Sequence, residues 1–451
     1  MASYEPFGFL TAEDLLKKAE ELGMDLPFQE SIDVLFEEIR IGSRTAPNRF
    51  AVQPMEGFDA EFNGAPGELT FRRYARYARG GNGLIWFEAT SVIEEGRSNP
   101  RQMKLDANTL DGFKRLVEKT RNAAYQEFGS KQDIVCILQL THSGRYSRPD
   151  GRISPKAACI NPILDRSPGD VHVFSDDELN ILQDVFIDAA RMAHEAGFDG
   201  VDIKACHGYL LHDLLSAHTR EGSRYGGSFE NRIRFLTELC GKIREEIPGL
   251  VCALRLNAYD GLAFPYGFGV PEDGSREIDL SEPKELIRQM ISLGCGLFNI
   301  TVGIPQYNPH FSRPFDRPLK GASNPPEHPL EGVGRLINIT GEIQAEFSET
   351  PIVGTGYSWL RQYFPHVGAA VISRGKAGLI GLGRSSIAYP DAPKDLMDRG
   401  SLDQDKVCIT CSRCTDLMQA GSVSGCSVRD REIYSRAYKL AFPKKGKPLI
   451  I

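Results

Sequence analysis

Residues 175–204 read SDDELNILQDVFIDAARMAHEAGFDGVDIK and hold one helix followed by one strand. Ser175 and Glu178 form a capping-box pair, and Leu179, Leu182, Phe186 and Ala189 then recur at helical spacing. Gly200–Lys204 follows as a short, largely apolar strand, as expected where both faces are covered. Working outward, seven more such runs are found: Arg49–Gln53, Gly83–Glu88, Ile134–Leu140, Val251–Leu256, Leu297–Thr301, Pro351–Gly354 and Gly378–Leu382. Amphipathic stretches separate them, among them Glu68–Arg79, Thr109–Phe128, Phe229–Glu246, Glu282–Leu293, Val333–Phe347, Ser358–Phe364 and Pro393–Arg399.

Eight strand–helix units predict an α/β fold, a (β/α)8 TIM barrel. An open doubly wound sheet is disfavoured, because no G-x-G-x-x-G follows the first strand. The first 40 residues read as an N-terminal helical extension over the barrel floor. The expected division is 1–405 for the barrel and 406–451 for a short C-terminal cysteine-cluster segment and tail. Function in such a barrel belongs at the C-terminal strand ends, where the long connections Thr141–Phe174, Asn257–Leu280 and Val302–Leu330 also fall. The last of these carries Tyr307, Phe311 and Phe315, which read as a pocket wall.

The chain has 451 residues and a formal net charge of −7, so it advertises no basic face for nucleic acid. No secretion signal opens the sequence and no apolar run is long enough for a bilayer. Ten cysteines without a secretion signal point to a reducing, cytoplasmic location. Cys408, Cys411, Cys414 and Cys426 follow the spacing C-x2-C-x2-C-x11-C, which suits an iron–sulfur cluster or a structural zinc. Isolated cysteines such as Cys240 and Cys295 read as small buried apolar residues.

Directly off the fourth strand run His207-Gly-Tyr-Leu-Leu211 and, further on, YGGSFENRIRF at 225–235. These stretches resemble the old yellow enzyme (NADH:flavin oxidoreductase) family of FMN-dependent ene-reductases. The likeness extends over NRFAVQPM (48–55), GLIWFEATSV (83–92), ILQLTHSGR (137–145) and GLIGLGRSSIAYPD (378–391), and so over most of residues 35 to 395.

A flavin needs its phosphate held and its pyrimidine end hydrogen-bonded. Barrels place phosphate at the last two strand ends, here Gly354-Thr-Gly356 and Gly381-Leu-Gly383-Arg384. The glycines permit close backbone approach and Arg384 supplies a charge-assisted contact, although the glycines could also merely form tight turns. Gln139 suits the mixed donor and acceptor edge of the ring. Arg255 suits a fixed cation near the anionic reduced flavin, or a structural ion pair. The resemblance adds Pro54, Met55, Glu88 and Ala89 as flavin contacts.

It also implies hydride delivery from flavin N5 to the β-carbon of an activated alkene. Lys204 and His207 would bind the activating carbonyl, and Tyr209 would protonate the α-carbon. Lys204 departs from the histidine usual in the family; it would bind a carboxylate, polarise a carbonyl, or pair with an acid inside the barrel. His142 reads either as a pocket residue or as a satisfied core histidine. Nothing marks Cys206 as a nucleophile.

The cysteine segment is similar to that of 2,4-dienoyl-CoA reductases and trimethylamine dehydrogenase. This implies a [4Fe–4S] cluster passing electrons to or from FMN, with zinc as the alternative. No G-x-G-x-x-G follows it, so the nucleotide-binding region of those relatives is expected to be missing. Electrons would come from NAD(P)H directly, or through the cluster from a donor protein such as a ferredoxin or flavoprotein. The expected substrate is a small molecule with an electron-poor C=C bond, an α,β-unsaturated carbonyl or carboxylate. One alternative is an amine or C–H dehydrogenase that passes electrons out through the cluster. Another is a non-catalytic, zinc-stapled partner subunit. Assembly as a homo-oligomer stays open.

Overall fold

The computed structural model describes residues 4–131 and 133–443. Residues 444–451 of the sequence-defined tail lie outside these bounds. Eight parallel strands pair in chain order and close on themselves. They are β1 (Phe50–Val52), β2 (Leu84–Ser91), β3 (Val135–Thr141), β4 (Gly200–Ile203), β5 (Val251–Asn257), β6 (Cys295–Thr301), β7 (Ile352–Gly354) and β8 (Leu379–Leu382). The expected barrel is therefore present, each strand within two or three residues of its predicted bounds.

Period-two alternation sorts each strand into two faces. Cys136, Leu138 and Leu140 of β3 point outward to the surrounding helices, among them Asp176–Glu195 with Leu179, Leu182 and Phe186. Val135 and Ile137 point inward with Leu84, Trp86, Ala253 and Leu297 to fill the lower barrel. The next inward positions towards the mouth are polar and buried: Gln53, Gln139, Asp202, Arg255 and Asn299. The inner face thus changes from hydrocarbon to hydrogen-bonding groups along its axis, which places the chemistry at the C-terminal ends.

The barrel floor corrects one expectation. A β-hairpin closes it, not a helical extension: Ile39–Ile41 pairs antiparallel with Arg44–Ala46 across the turn at Gly42, whose φ is 57°. Ile41 and Ala46 join the apolar filling of the lower barrel. Alternation of Ile39 and Ile41 with charged neighbours is a strand period, and glycine accepts the left-handed turn without a Cβ penalty. The predicted helix exists at Ala12–Glu21, but its Leu15 and Ala19 pack against Leu330, Val333 and Trp359.

The cysteine segment folds back over the mouth. Ser424 N–H donates to Asp59 Oδ1 at 3.0 Å, Phe58 N–H donates to Ser424 Oγ at 2.9 Å, and Arg72 donates to Asp430 at 2.7 Å. These contacts tie it to the loop after β1 and to the helix Glu68–Arg79. Among the described residues, no helix is long and apolar enough to cross a membrane.

Candidate active site

Five elements bring their polar ends together at the mouth. Asp202 of β4 is at the centre. Its carboxylate accepts from Gln139 Nε2 at 2.6 Å, from Trp86 Nε1 at 2.9 Å and from the Arg255 backbone N–H at 2.6 Å. Burial pushes the Asp202 carboxyl up to about 6, and the Gln139 amide opposes that shift. The bond to Nε2 fixes the Gln139 amide, so its carbonyl oxygen has no protein partner. Arg255 donates from one terminal nitrogen to the Pro54 carbonyl at 3.2 Å, while its Nε is buried and unpaired. Asn299 Nδ2 donates to Gln53 Oε1 at 2.8 Å, leaving Gln53 Nε2 and Asn299 Oδ1 unpaired as well.

Buried polar atoms are nearly always satisfied, so a cluster of orphans with both donors and acceptors marks a place for a ligand. The set matches the mixed edge of a flavin: an acceptor at Gln139, donors at Arg255 and Gln53. The phosphate end fits too. Arg384 donates to the Pro314 carbonyl at 2.5 Å and keeps its other terminal nitrogen buried and unpaired. Gly356 takes φ 98°, which an L side chain rarely adopts. A Cβ on Gly383 would press to 3.0 Å from the Met55 sulfur, so that backbone lies close to the loop after β1. Arg313, which the sequence did not single out, stands near enough to Arg384 to feel its charge; burial and then that charge bring its guanidinium down to about 10. Neither guanidinium forms an ion pair among the described residues, and two such groups side by side favour a dianion. The residues present therefore fit FMN.

Lys204, His207 and Tyr209 share the rim above. His207 has φ 64° and Gly208 φ 75°, and the Tyr209 N–H closes the turn on the Cys206 carbonyl at 3.3 Å. Left-handed backbone at a histidine costs about 1–2 kcal/mol, and such outliers collect at functional sites. The turn swings His207 to within 3.3 Å of Thr301 Oγ1 and directs Tyr209 towards the loop after β1. Tyr209 O–H donates to Glu56 Oε2 at 2.5 Å. Lys204 Nζ sits 3.4 Å from the centre of the Tyr209 ring and forms no ion pair among the described residues. Burial pulls the Lys204 ammonium down, and the Glu56 charge partly restores it. Burial likewise holds His207 well below the usual imidazole range, aided by Arg255 and Lys204, so its ring is neutral.

Not every candidate joins this rim. The Ala89 carbonyl is taken by Gln102 Nε2 at 3.0 Å, and Glu88 pairs with Arg73 at 2.7 Å under the mouth. His142 accepts the Gly144 N–H at 3.0 Å and packs edge-on to Phe174, and its Nε2 is buried without a partner. Phe315 is buried, Phe311 stacks on Tyr259 at 5.9 Å, and Tyr307 faces outward, so these rings do not form a shared wall. Asp202, Asn299, Gln53 and Glu56 were missed. The legible signal for the first three was a polar residue on the inward phase of an otherwise apolar strand.

Cys408, Cys411, Cys414 and Cys426 all line one small pocket, which Arg384 also borders. Thr410 N–H points at Cys408 Sγ at 3.4 Å and Arg429 N–H at Cys426 Sγ at 3.3 Å. Thr410 and Ser412 both take positive φ, wrapping the chain around the cavity. Among the described residues no three Cys, His, Asp or Glu side chains close into a preformed metal-binding group. The four thiols and their amide donors nonetheless fit a sulfur-ligated centre better than they fit a dry core.

A parallel barrel with a flavin-shaped set of orphans at its mouth is the architecture of a flavin-dependent oxidoreductase. The chain belongs to the NADH:flavin oxidoreductase / NADH oxidase family, which it matches over residues 34–265. It is 27% identical to the NADH oxidase of Thermoanaerobacter brockii over 389 residues, 84% of this chain and 52% of the relative. It is 28% identical to the dimethylamine dehydrogenase of Hyphomicrobium sp. (strain x) over 405 residues, 87% of this chain and 49% of the relative. The chain thus spans about half the length of these curated relatives. A solved 2-naphthoyl-CoA reductase superposes with a TM-score of 0.72 at 21% identity, covering 92% of this chain and 58% of that one, a likeness of fold.

Proposed function

We propose that this chain is an FMN-dependent oxidoreductase that reduces an electron-poor C=C bond. The observation that carries the reading is Tyr209 O–H at the rim, with Lys204 and neutral His207 beside it, above a polar cluster that fits a flavin. FMN, held by Gln139, Arg255, Gln53, Gly356, Gly383 and Arg384, supplies hydride chemistry to the β-carbon. His207 and Lys204 bind the carbonyl or carboxylate of the substrate and stabilise the charge that develops on its oxygen. Tyr209 delivers a proton to the α-carbon. A strongly raised phenol is still acidic enough for that carbon, which is a stronger base than water.

The four cysteines hold a [4Fe–4S] cluster in this reading, which supplies single-electron transfer; zinc is the alternative occupant. NAD(P)H as donor draws support from the relative named NADH oxidase. A one-electron donor protein draws support from the cysteine cavity beside Arg384. The dehydrogenase alternative has the dimethylamine dehydrogenase relative in its favour. Lys204 supports alkene reduction, because a cation at the rim repels a cationic amine.

The test is anaerobic: purified protein is analysed for flavin and iron, one portion is given dimethylamine while oxidised, and others are mixed separately with NADH, NADPH and reduced ferredoxin and then given cyclohexenone. Oxidation of the reduced flavin by cyclohexenone supports the proposal. Flavin reduction by dimethylamine with no response to cyclohexenone replaces it with the dehydrogenase reading.

A further inference from the structure

Glu56 lies in the loop after β1 and belongs to no motif. Its two carboxylate oxygens are both engaged at the rim: Oε2 accepts the Tyr209 phenol at 2.5 Å, and Oε1 accepts the Ser98 hydroxyl. Glu56 and Ser98 are half-buried, so the pair forms a short path from solvent to the phenol. The charged and titratable groups that face Glu56 are Lys204 at the end of β4, Tyr209 in the following turn and Glu88 on β2. From the cysteine segment, the uncharged Ser424 hydroxyl lies 3.5 Å from the Glu56 carbonyl.

This geometry poses a chemical problem. A phenol that donates to an ionised carboxylate keeps its proton and aims it away from the substrate. A carboxylic acid in the same place aims its own proton at the phenol oxygen and frees the phenol proton for the mouth. A phenolate left beside a carboxylate would be a pair of like charges at hydrogen-bond distance, which is costly.

We propose that Glu56 governs the proton of Tyr209, storing it and returning it. The inference rests on the alkene-reduction reading and deepens it. In the step, reduction at the β-carbon, the chemistry that bound FMN would supply, leaves an electron pair on the substrate's enolate. The Tyr209 O–H bond breaks as the α-carbon–H bond forms. The Glu56 carboxyl O–H then breaks as the phenol O–H is restored, and a water proton passing Ser98 restores Glu56. Glu56 is a positioning and proton-return residue; of the two, only Tyr209 touches the substrate.

The experiment uses FMN-loaded full-length protein as wild type, Glu56→Gln, Glu56→Asp and Tyr209→Phe. Fluorotyrosine is incorporated and Tyr209 is followed by fluorine NMR across pH, with Tyr209→Phe assigning the signal. In parallel, dithionite-reduced protein is mixed rapidly with cyclohexenone across the same range. The expected results in Glu56→Gln are a Tyr209 titration displaced to lower pH and reoxidation by cyclohexenone slowed about tenfold or more. Flavin reduction is unchanged, and Glu56→Asp regains part of the reoxidation rate. A Tyr209 titration identical in wild type and Glu56→Gln overturns the proposal, as does a Glu56→Gln enzyme that keeps the wild-type rate. Failure of wild type to reduce cyclohexenone overturns the alkene reading instead, and the fluorine titration then decides by itself whether Glu56 governs Tyr209.

Discussion

At the scale of single residues, the rim is a set of side chains whose ordinary behaviour is altered by where the backbone puts them. Tyr209→Phe removes the proposed proton donor without touching the proposed flavin contacts. We expect reoxidation by an enone to slow roughly a hundredfold or more while reduction of the flavin proceeds as before, measured by rapid-mixing absorbance. Equal loss in both half-reactions contradicts the assignment. Glu88 offers a stability test. Burial lifts its carboxyl from 4.5 to about 7, with Arg73 opposing the shift. A carboxyl raised on folding favours the fold below its unfolded value and loses that contribution as the pH climbs towards the folded one. Thermal melts of wild type should therefore lose stability between pH 4.5 and about 7, and Glu88→Gln should flatten that slope. An unchanged slope in the variant sinks the claim.

At the scale of elements, strands and helices were legible because burial on both faces gives short apolar runs, and because Ser175 and Glu178 do form the capping box they spell. The floor hairpin was not read, since Ile39–Ile41 and Arg44–Ala46 mix apolar and charged residues and lack the continuous apolar run that marks the barrel strands. Gln139, Arg255 and Arg384 were legible at strand ends, whereas Glu56 and Arg313 were not. They lie in loops without regular pattern, and only the closed barrel brings them to Tyr209 and Arg384. The Cys206–Tyr209 turn is the element on which the rim depends. A Cβ on Gly208, at φ 75°, would come within 3.1 Å of the Tyr146 ring and 3.2 Å of Ile304. Gly208→Ala should cost about 1–2 kcal/mol in a denaturant melt and displace Tyr209, so activity falls while FMN content holds. Full activity in that variant would show that the turn does not position the phenol.

At the scale of the whole molecule, one axis organises everything. Hydrocarbon fills the lower barrel, polar atoms without protein partners crown it, and the cysteine segment closes over one side through Ser424, Asp430 and their partners. Arg384 borders both the expected phosphate position and the cysteine cavity, so the two redox centres of the proposal share a wall. Cys411→Ser is expected to lower iron content in elemental analysis and leave flavin content unchanged; full iron in the variant contradicts the ligand set. The central claim, that the mouth holds FMN, is tested most directly by extracting flavin from the purified protein and quantifying it by chromatography and absorbance. The account predicts close to one FMN per chain. A colourless protein that takes up no FMN when offered it would contradict the account.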